Sequence, residues 1–147
     1  MRAPAAFSLL EVLLVLVILG ILGSMAYPGY ANYLLQARRA EGHMALLHRM
    51  QDEERYFTDR HRYLAFGADA GGAEGMRWWS GRDAPHSAYE LRAKACPGAE
   101  LADCVVIEAV PGTERVDPAF RDPACGILSL NSVGVRGASG PAARCWP

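Results

Sequence analysis

From Val12 to Ala26 the chain contains no charged side chain, and Ser24 is the one hydroxyl in the run. That absence sets the stretch apart, and without it the remaining composition is that of an ordinary soluble domain. Acidic residues are missing after Asp122, whereas Arg136 and Arg144 remain, so the C-terminal segment is mildly positive. A dense Lys/Arg stripe is missing too: 15 basic against 16 acidic side chains leave a net charge of −1 and exclude a global field that draws the protein to nucleic acid or anionic lipid. No cysteine precedes Cys96, and the intervals from Cys96 to Cys104, Cys125 and Cys145 leave 7, 20 and 19 residues between neighbours. Zinc sites use closely paired ligands, so this spacing favours two disulfides in an exported domain, with zinc and free thiols as the competing readings. A catalytic constellation is also lacking. His43 and His48 stand five apart on a helical segment and point in different directions, His61 and His86 are isolated, and Ser80, Ser87, Ser129 and Ser132 lie in no nucleophile motif. Neither an enzyme, a cofactor nor a metal site is expected.

What is present begins at the N-terminus. Phe7 to Tyr27 forms about 30 Å of helix at 1.5 Å per residue, the thickness of a bilayer's hydrocarbon core. A cleavable signal peptide places its small residues after the hydrophobic core, but here Ala5 and Ala6 come before it. Cleavage there would leave the apolar segment on the mature chain. Arg2 favours a cytoplasmic N-terminus and puts everything after Tyr30 on the far side, where cysteines oxidise. Glu11 interrupts the apolar pattern near the cytoplasmic end, at a cost of about 2–3 kcal/mol in hydrocarbon unless it snorkels or finds a partner. An interfacial accident and a functional pairing are the two readings.

The stretch Ala6-Phe7-Ser8-Leu9-Leu10-Glu11-Val12, followed by the apolar run and by Ala26-Tyr27-Pro28-Gly29-Tyr30, resembles the N-terminus of type IV prepilins. The resemblance continues through Arg38-Arg39-Ala40-Glu41, Gln51-Asp52-Glu53-Glu54-Arg55-Tyr56-Phe57 and Tyr63. It resumes at Cys125-Gly126-Ile127-Leu128-Ser129-Leu130 and closes on Cys145-Trp146, in the manner of minor pilins of the type IVa pilus. It implies a leader over residues 1–6, cut between Ala6 and Phe7 by a prepilin peptidase that then methylates the Phe7 amine. Ala6 stands where the family usually has Gly, one methyl group larger. Residues 7–29 would be the transmembrane and fibre-core helix, and residues 30–147 a periplasmic, later extracellular, globular domain whose stem helix spans 30–57. The implied partners are other pilin subunits, the peptidase and the inner-membrane assembly platform. Glu11 would then be an assembly residue pairing with a Phe7 amine.

The implied fold is α+β, a long N-terminal helix packed on a small antiparallel sheet, and the residues beyond the apolar run support it independently. Tyr30, Tyr33, Leu34, Ala37, Ala40, Met44, Leu47, Met50 and Phe57 recur mostly at three or four positions and mark one apolar face, with Arg38, Glu41, His48, Arg49, Asp52 and Glu53 on the opposite side, suited to solvent or neighbouring subunits. Pro28 removes a backbone donor beside Gly29, so a kink or local melting is expected there. Gly67 to Gly75 reads as an exposed loop. Period-two alternation at Tyr89, Leu91 and Ala93, at Val105, Ile107 and Ala109, and at Leu128 and Leu130 predicts three strands with one face on the core. Four cysteines allow three pairings; chain order favours Cys96 with Cys104 and Cys125 with Cys145.

Arg77-Trp78-Trp79-Ser80-Gly81-Arg82 combines arginines with aromatics that could stack on bases and hold phosphates, or pack into the fold with one Trp inward and the other exposed. Three functions are therefore in view. The first is a structural minor subunit acting in assembly or priming of a type IV pilus, and thereby in adhesion, twitching motility or DNA uptake. The second is a DNA-capturing pilin using Arg77, Trp78, Trp79, Arg82, Arg136 and Arg144. The third is the pseudopilin of a secretion machine.

Overall fold

The computed structural model describes residues 8–70 and 75–147. Its elements are α1 (Leu9–Arg60), β1 (Tyr89–Ala95), β2 (Val105–Pro111), β3 (Leu128–Asn131) and β4 (Arg136–Ala138), with a 3-10 turn at Ala84–His86. Contacts divide the chain into a unit ending at Gln36 and a unit from Ala37 to Pro147.

From Leu9 onward the first unit is helix. Its side chains between Leu9 and Met25 lie exposed, Leu9, Leu10, Leu16 and Leu22 among them. By length and composition this is a helix that can cross a membrane, its apolar window wholly unburied. The helical backbone continues through Tyr27, Pro28 and Gly29, so the local melting expected at Pro28 does not occur in this structure. Proline inside a long helix removes one i→i−4 bond, and the helix on both sides can outweigh that loss.

In the second unit the sheet order is β1-β2-β3-β4, every pair antiparallel. The register places Leu91 opposite Ala109, Ala93 opposite Ile107 and Ile107 opposite Leu130, so the alternation read from the sequence becomes one continuous buried face. Tyr89, Leu91, Val105, Ile107 and Leu128 are fully buried there, together with Leu46 of α1. β4 was not foreseen: Arg136-Gly137-Ala138 has no apolar alternation, and it forms because Gly134, at φ +84°, turns the chain back onto β3.

The face with which the stem covers the sheet is only in part the one the apolar spacing marked: Met50 is buried and Phe57 packs against the core as expected, whereas Ala37, Ala40, Met44 and Leu47 point away. Gly42, Ala45, Leu46, Met50 and Glu53 are buried, whereas Met44 is 54% and Leu47 39% exposed. Glu53, expected on the face turned to solvent or neighbouring subunits, is 0% exposed. Small residues decide the contact: a Cβ on Gly42 would come 2.8 Å from the Tyr89 ring, so the absence of a side chain lets the ring lie against the helix backbone.

Both disulfides pair as chain order suggested. Cys96–Cys104 closes the β1–β2 connection and Cys125–Cys145 ties the chain before β3 to the C-terminus, with Cα atoms 5.4 and 5.5 Å apart. The outer edge of β1 is also occupied. Ala93 N–H donates to Phe66 O at 2.8 Å and Leu91 N–H to Trp78 O at 2.7 Å, so segments after the stem blunt an edge that could otherwise pair with another chain.

Candidate functional site

Ala6 and Phe7, the expected processing and methylation positions, lie outside the described residues. Glu11 sits in the first turn of α1, its N–H donating to Ser8 O at 3.0 Å, with its side chain exposed among Val12, Val15 and Leu16. That places a carboxylate at the start of a helix whose other side chains offer hydrocarbon. An anion there is favoured by the unpaired N–H groups of the first turn.

Further along the first unit Tyr30, Tyr33 and Leu34 are exposed, and in the second unit so are Ala37, Ala40, Met44 and Leu47. The regular apolar spacing of the stem thus falls largely on its outer side. An apolar ridge facing water is the usual mark of a surface meant for another protein or a membrane.

The motif Arg38-Arg39-Ala40-Glu41 fixes the stem to the rest of the second unit. Arg39 donates through Nε and Nη2 to the two carboxylate oxygens of Asp122, both at 2.6 Å. Asp122, fully buried as a side chain, also accepts from Tyr89 O–H at 3.3 Å and from Cys125 N–H at 3.1 Å. Burial alone would raise its pKa, yet the Arg39 guanidinium and these donors hold it below the ordinary carboxylate value. The same pairing raises Arg39 above its usual range. Burial, reinforced by the Asp122 charge, moves the Tyr89 phenol upward so that it stays a neutral donor. Arg38 donates to His86 O at 2.8 Å, and Glu41 accepts from Ser80 O–H and from Ala88 N–H at 3.1 Å. Sequence reasoning missed Asp122 and Glu53, whose roles depend on partners far along the chain.

The six residues singled out for DNA or ligand contact form two groups. Arg77 lies exposed with its guanidinium carbon 5.5 Å from the centre of the Trp79 ring, and Arg82 is exposed nearby in sequence. Trp78 and Trp79 meet edge to face at 5.1 Å, and both are half-buried. Trp78 is the inward member, packed against the core, while Trp79 is half-buried rather than exposed, because the two rings shield each other beside the β1 edge. Arg136 stands on β4, the opposite edge of the sheet, 5.3 Å from the centre of the Trp146 ring. The same ring stacks on His43 at 4.3 Å, its indole N–H donates to Gly137 O at 2.8 Å, and Arg144 is exposed two residues away. An Arg–Trp pair at each edge of the sheet is what the fold makes of the residues singled out for DNA or ligand contact. Each can present a cation and part of an aromatic surface, which is chemistry suited to phosphates and bases. Among the described residues no group of three or more His, Cys, Asp or Glu could hold a metal ion.

Comparison with known proteins agrees with this arrangement. The family described as type IV minor pilin ComP, DNA uptake sequence receptor, matches residues 28–129, and the prokaryotic N-terminal methylation motif matches residues 1–27. A type IV pilin from Shewanella oneidensis is similar at 26% identity over 77% of this chain and 98% of that one, with a TM-score of 0.46. The non-core minor pilin PilV of Neisseria meningitidis is similar at 18% identity over 77% of this chain and 94% of that one, with a TM-score of 0.51, a likeness of fold. No curated protein matches. A prepilin N-terminus, a stem helix on a four-stranded antiparallel sheet and two C-terminal disulfides come together here with a family match over most of the chain: it is a type IV minor pilin and belongs to the type IV minor pilin ComP, DNA uptake sequence receptor, family.

Proposed function

We propose that this minor pilin, cut between Ala6 and Phe7 and methylated on Phe7, waits in the inner membrane with its folded unit in the periplasm. It then enters the fibre through a pairing of Glu11 with a Phe7 amine. The observation that carries the reading is the unpartnered apolar surface of α1, interrupted near its start by the single carboxylate of Glu11. Leaving lipid for a bundle of similar helices changes the apolar contacts little, so packing alone gives little direction, whereas a charge pair at low dielectric is strongly directional. The amine remains protonatable after N-methylation, so the attraction survives processing. Pro28 would supply a bend or weak point that lets the helix adjust during entry. Glu11→Ala, expressed in cells lacking the native copy, should be processed and inserted normally yet be lost from sheared fibres; normal recovery in fibres would reject the pairing.

A second reading is favoured by the family match and by the two Arg–Trp pairs: once in the fibre, the folded unit captures DNA for uptake. A binder with few cationic contacts should have modest affinity and a shallow salt slope, each phosphate contact adding about 0.9 to the slope of log affinity against log salt. Arg77→Ala and Arg136→Ala should each weaken duplex binding and reduce that slope by about one, while leaving the fold intact. Unchanged affinity in the double variant would remove both edges of the sheet from the DNA contact.

A further inference from the structure

Glu53 departs from the rule that the rest of the inward face of α1 obeys. Gly42, Ala45, Leu46 and Met50 are apolar; Glu53, on the same face, is an acid with 0% exposure. Its Oε2 accepts the N–H of Leu64 at 2.8 Å, and its Oε1 has no partner. Among the described residues no cation answers it. The charges that reach it are Asp52 and Glu54 on its own helix, both acidic, and Asp52 is already engaged by Arg49 at 2.9 Å and Arg55 at 3.5 Å. From the segment packed beside it comes the Tyr63 phenol, which donates to Glu54 at 3.1 Å rather than to Glu53. A neutral carboxylic acid tolerates such a site, whereas a carboxylate is left with an unsatisfied buried charge.

The group that Glu53 holds is the chain leaving the stem. His61 takes a positive φ of 55° as α1 ends, Tyr63 N–H donates to Leu101 O at 2.7 Å, and Phe66 O accepts from Ala93 N–H at 2.8 Å. The segment from His61 to Phe66 is thereby tied to the β1–β2 connection, to the edge of β1 and, through Leu64 and Glu53, to the stem. We propose that Glu53 is a pH-sensitive latch on this segment, closed while its carboxyl is protonated and loosened when the carboxyl ionises.

The direction follows from the environment. Burial raises the Glu53 pKa to about 7, with the Leu64 N–H opposing and the charges of Asp52 and Glu54 adding to the rise. A folded value above the unfolded one gives a contribution that is complete below the unfolded pKa of 4.5 and is lost as pH rises through the folded value. Across that window the folding equilibrium constant falls on the order of a hundredfold if the whole unit responds, and the opening of the segment shifts likewise if only the latch does.

The test uses the full processed chain in detergent micelles from pH 5 to 8. Urea unfolding is followed by the fluorescence of Trp78, Trp79 and Trp146, and amide exchange is measured over residues 58–66. In the wild type the unfolding midpoint should fall with pH, or exchange over this segment should rise at least tenfold beyond its intrinsic pH dependence. Glu53→Gln keeps an acceptor for Leu64 N–H and cannot ionise, so the fall of the midpoint with rising pH and the excess exchange should both be lost. Parallel profiles for the two proteins would overturn the latch. A carboxyl resonance titration of Glu53 in the wild type needs no variant to fold, and a midpoint below pH 5 would overturn the proposal by itself.

Discussion

Asp122 collects four donors from three parts of the second unit: two from Arg39 on the stem, the Tyr89 hydroxyl on β1 and the Cys125 amide at the disulfide. Such a centre is costly to break, because removing one partner strands the other's charge in a site that excludes water. Asp122→Ala should therefore destabilise the folded unit by about 3–5 kcal/mol in urea unfolding, more than any exposed ion pair such as Arg92–Glu108. The pH dependence of this centre runs opposite to that of Glu53. The Asp122 pKa lies below its unfolded value of 3.8, so its contribution is present above that value and is lost as acid takes pH through the folded one. A stability profile between pH 2 and 8 should thus fall at both ends, and Asp122→Asn should flatten the acid limb alone. None of this was legible in the sequence, where Asp122 is one acid in a loop and Glu53 one of four charged residues in a row. A side chain's burial depends on what packs against it, and those partners lie 83 and 11 residues away.

At the scale of elements, α1 carries two faces suited to burial. The inward one is built partly from Gly42 and Ala45, which apolar spacing cannot detect, and the outward one from Met44 and Leu47, which it detects readily. The helix itself, three of the four strands and both disulfides were legible, because alternation fixes which side of a strand is buried and cysteines next to each other in chain order bracket one connection, Cys96–Cys104, and one pair of strands, Cys125–Cys145. The rotation of the helix was not, because the sheet beneath it selects close approach over hydrophobicity. Two substitutions separate the faces. Gly42→Ala should lower stability by about 1–2 kcal/mol despite alanine's advantage of about 1 kcal/mol in a helix interior, since the new methyl meets the buried Tyr89 ring. Met44→Asp should leave the urea midpoint within about 0.5 kcal/mol of wild type yet reduce recovery in sheared fibres, because it places a charge on the ridge offered to neighbours. Equal fibre recovery would take Met44 out of the subunit contact.

For the whole molecule, the division of the chain follows its chemistry. The unit ending at Gln36 offers hydrocarbon and Glu11, and the unit from Ala37 onward offers a disulfide-fastened sheet with an Arg–Trp pair at each edge. The first resembles what every subunit of such a fibre needs; the second is where a minor subunit can differ. Opening Cys125–Cys145 by changing both residues to Ala should cost about 2–5 kcal/mol and free the strand that bears Arg136, so DNA binding and stability should fall together, whereas Arg136→Ala should reduce binding alone. The most direct measurement of the central claim, that Glu11 on the exposed apolar part of α1 takes this minor pilin into a fibre, is a quantitative census of sheared pili from cells carrying either the wild type or Glu11→Ala as the sole copy. The account predicts that the wild-type chain is recovered as a small fraction of fibre mass, and that the variant is processed, present in the membrane and missing from the fibres. Recovery of the variant at the wild-type level would contradict it.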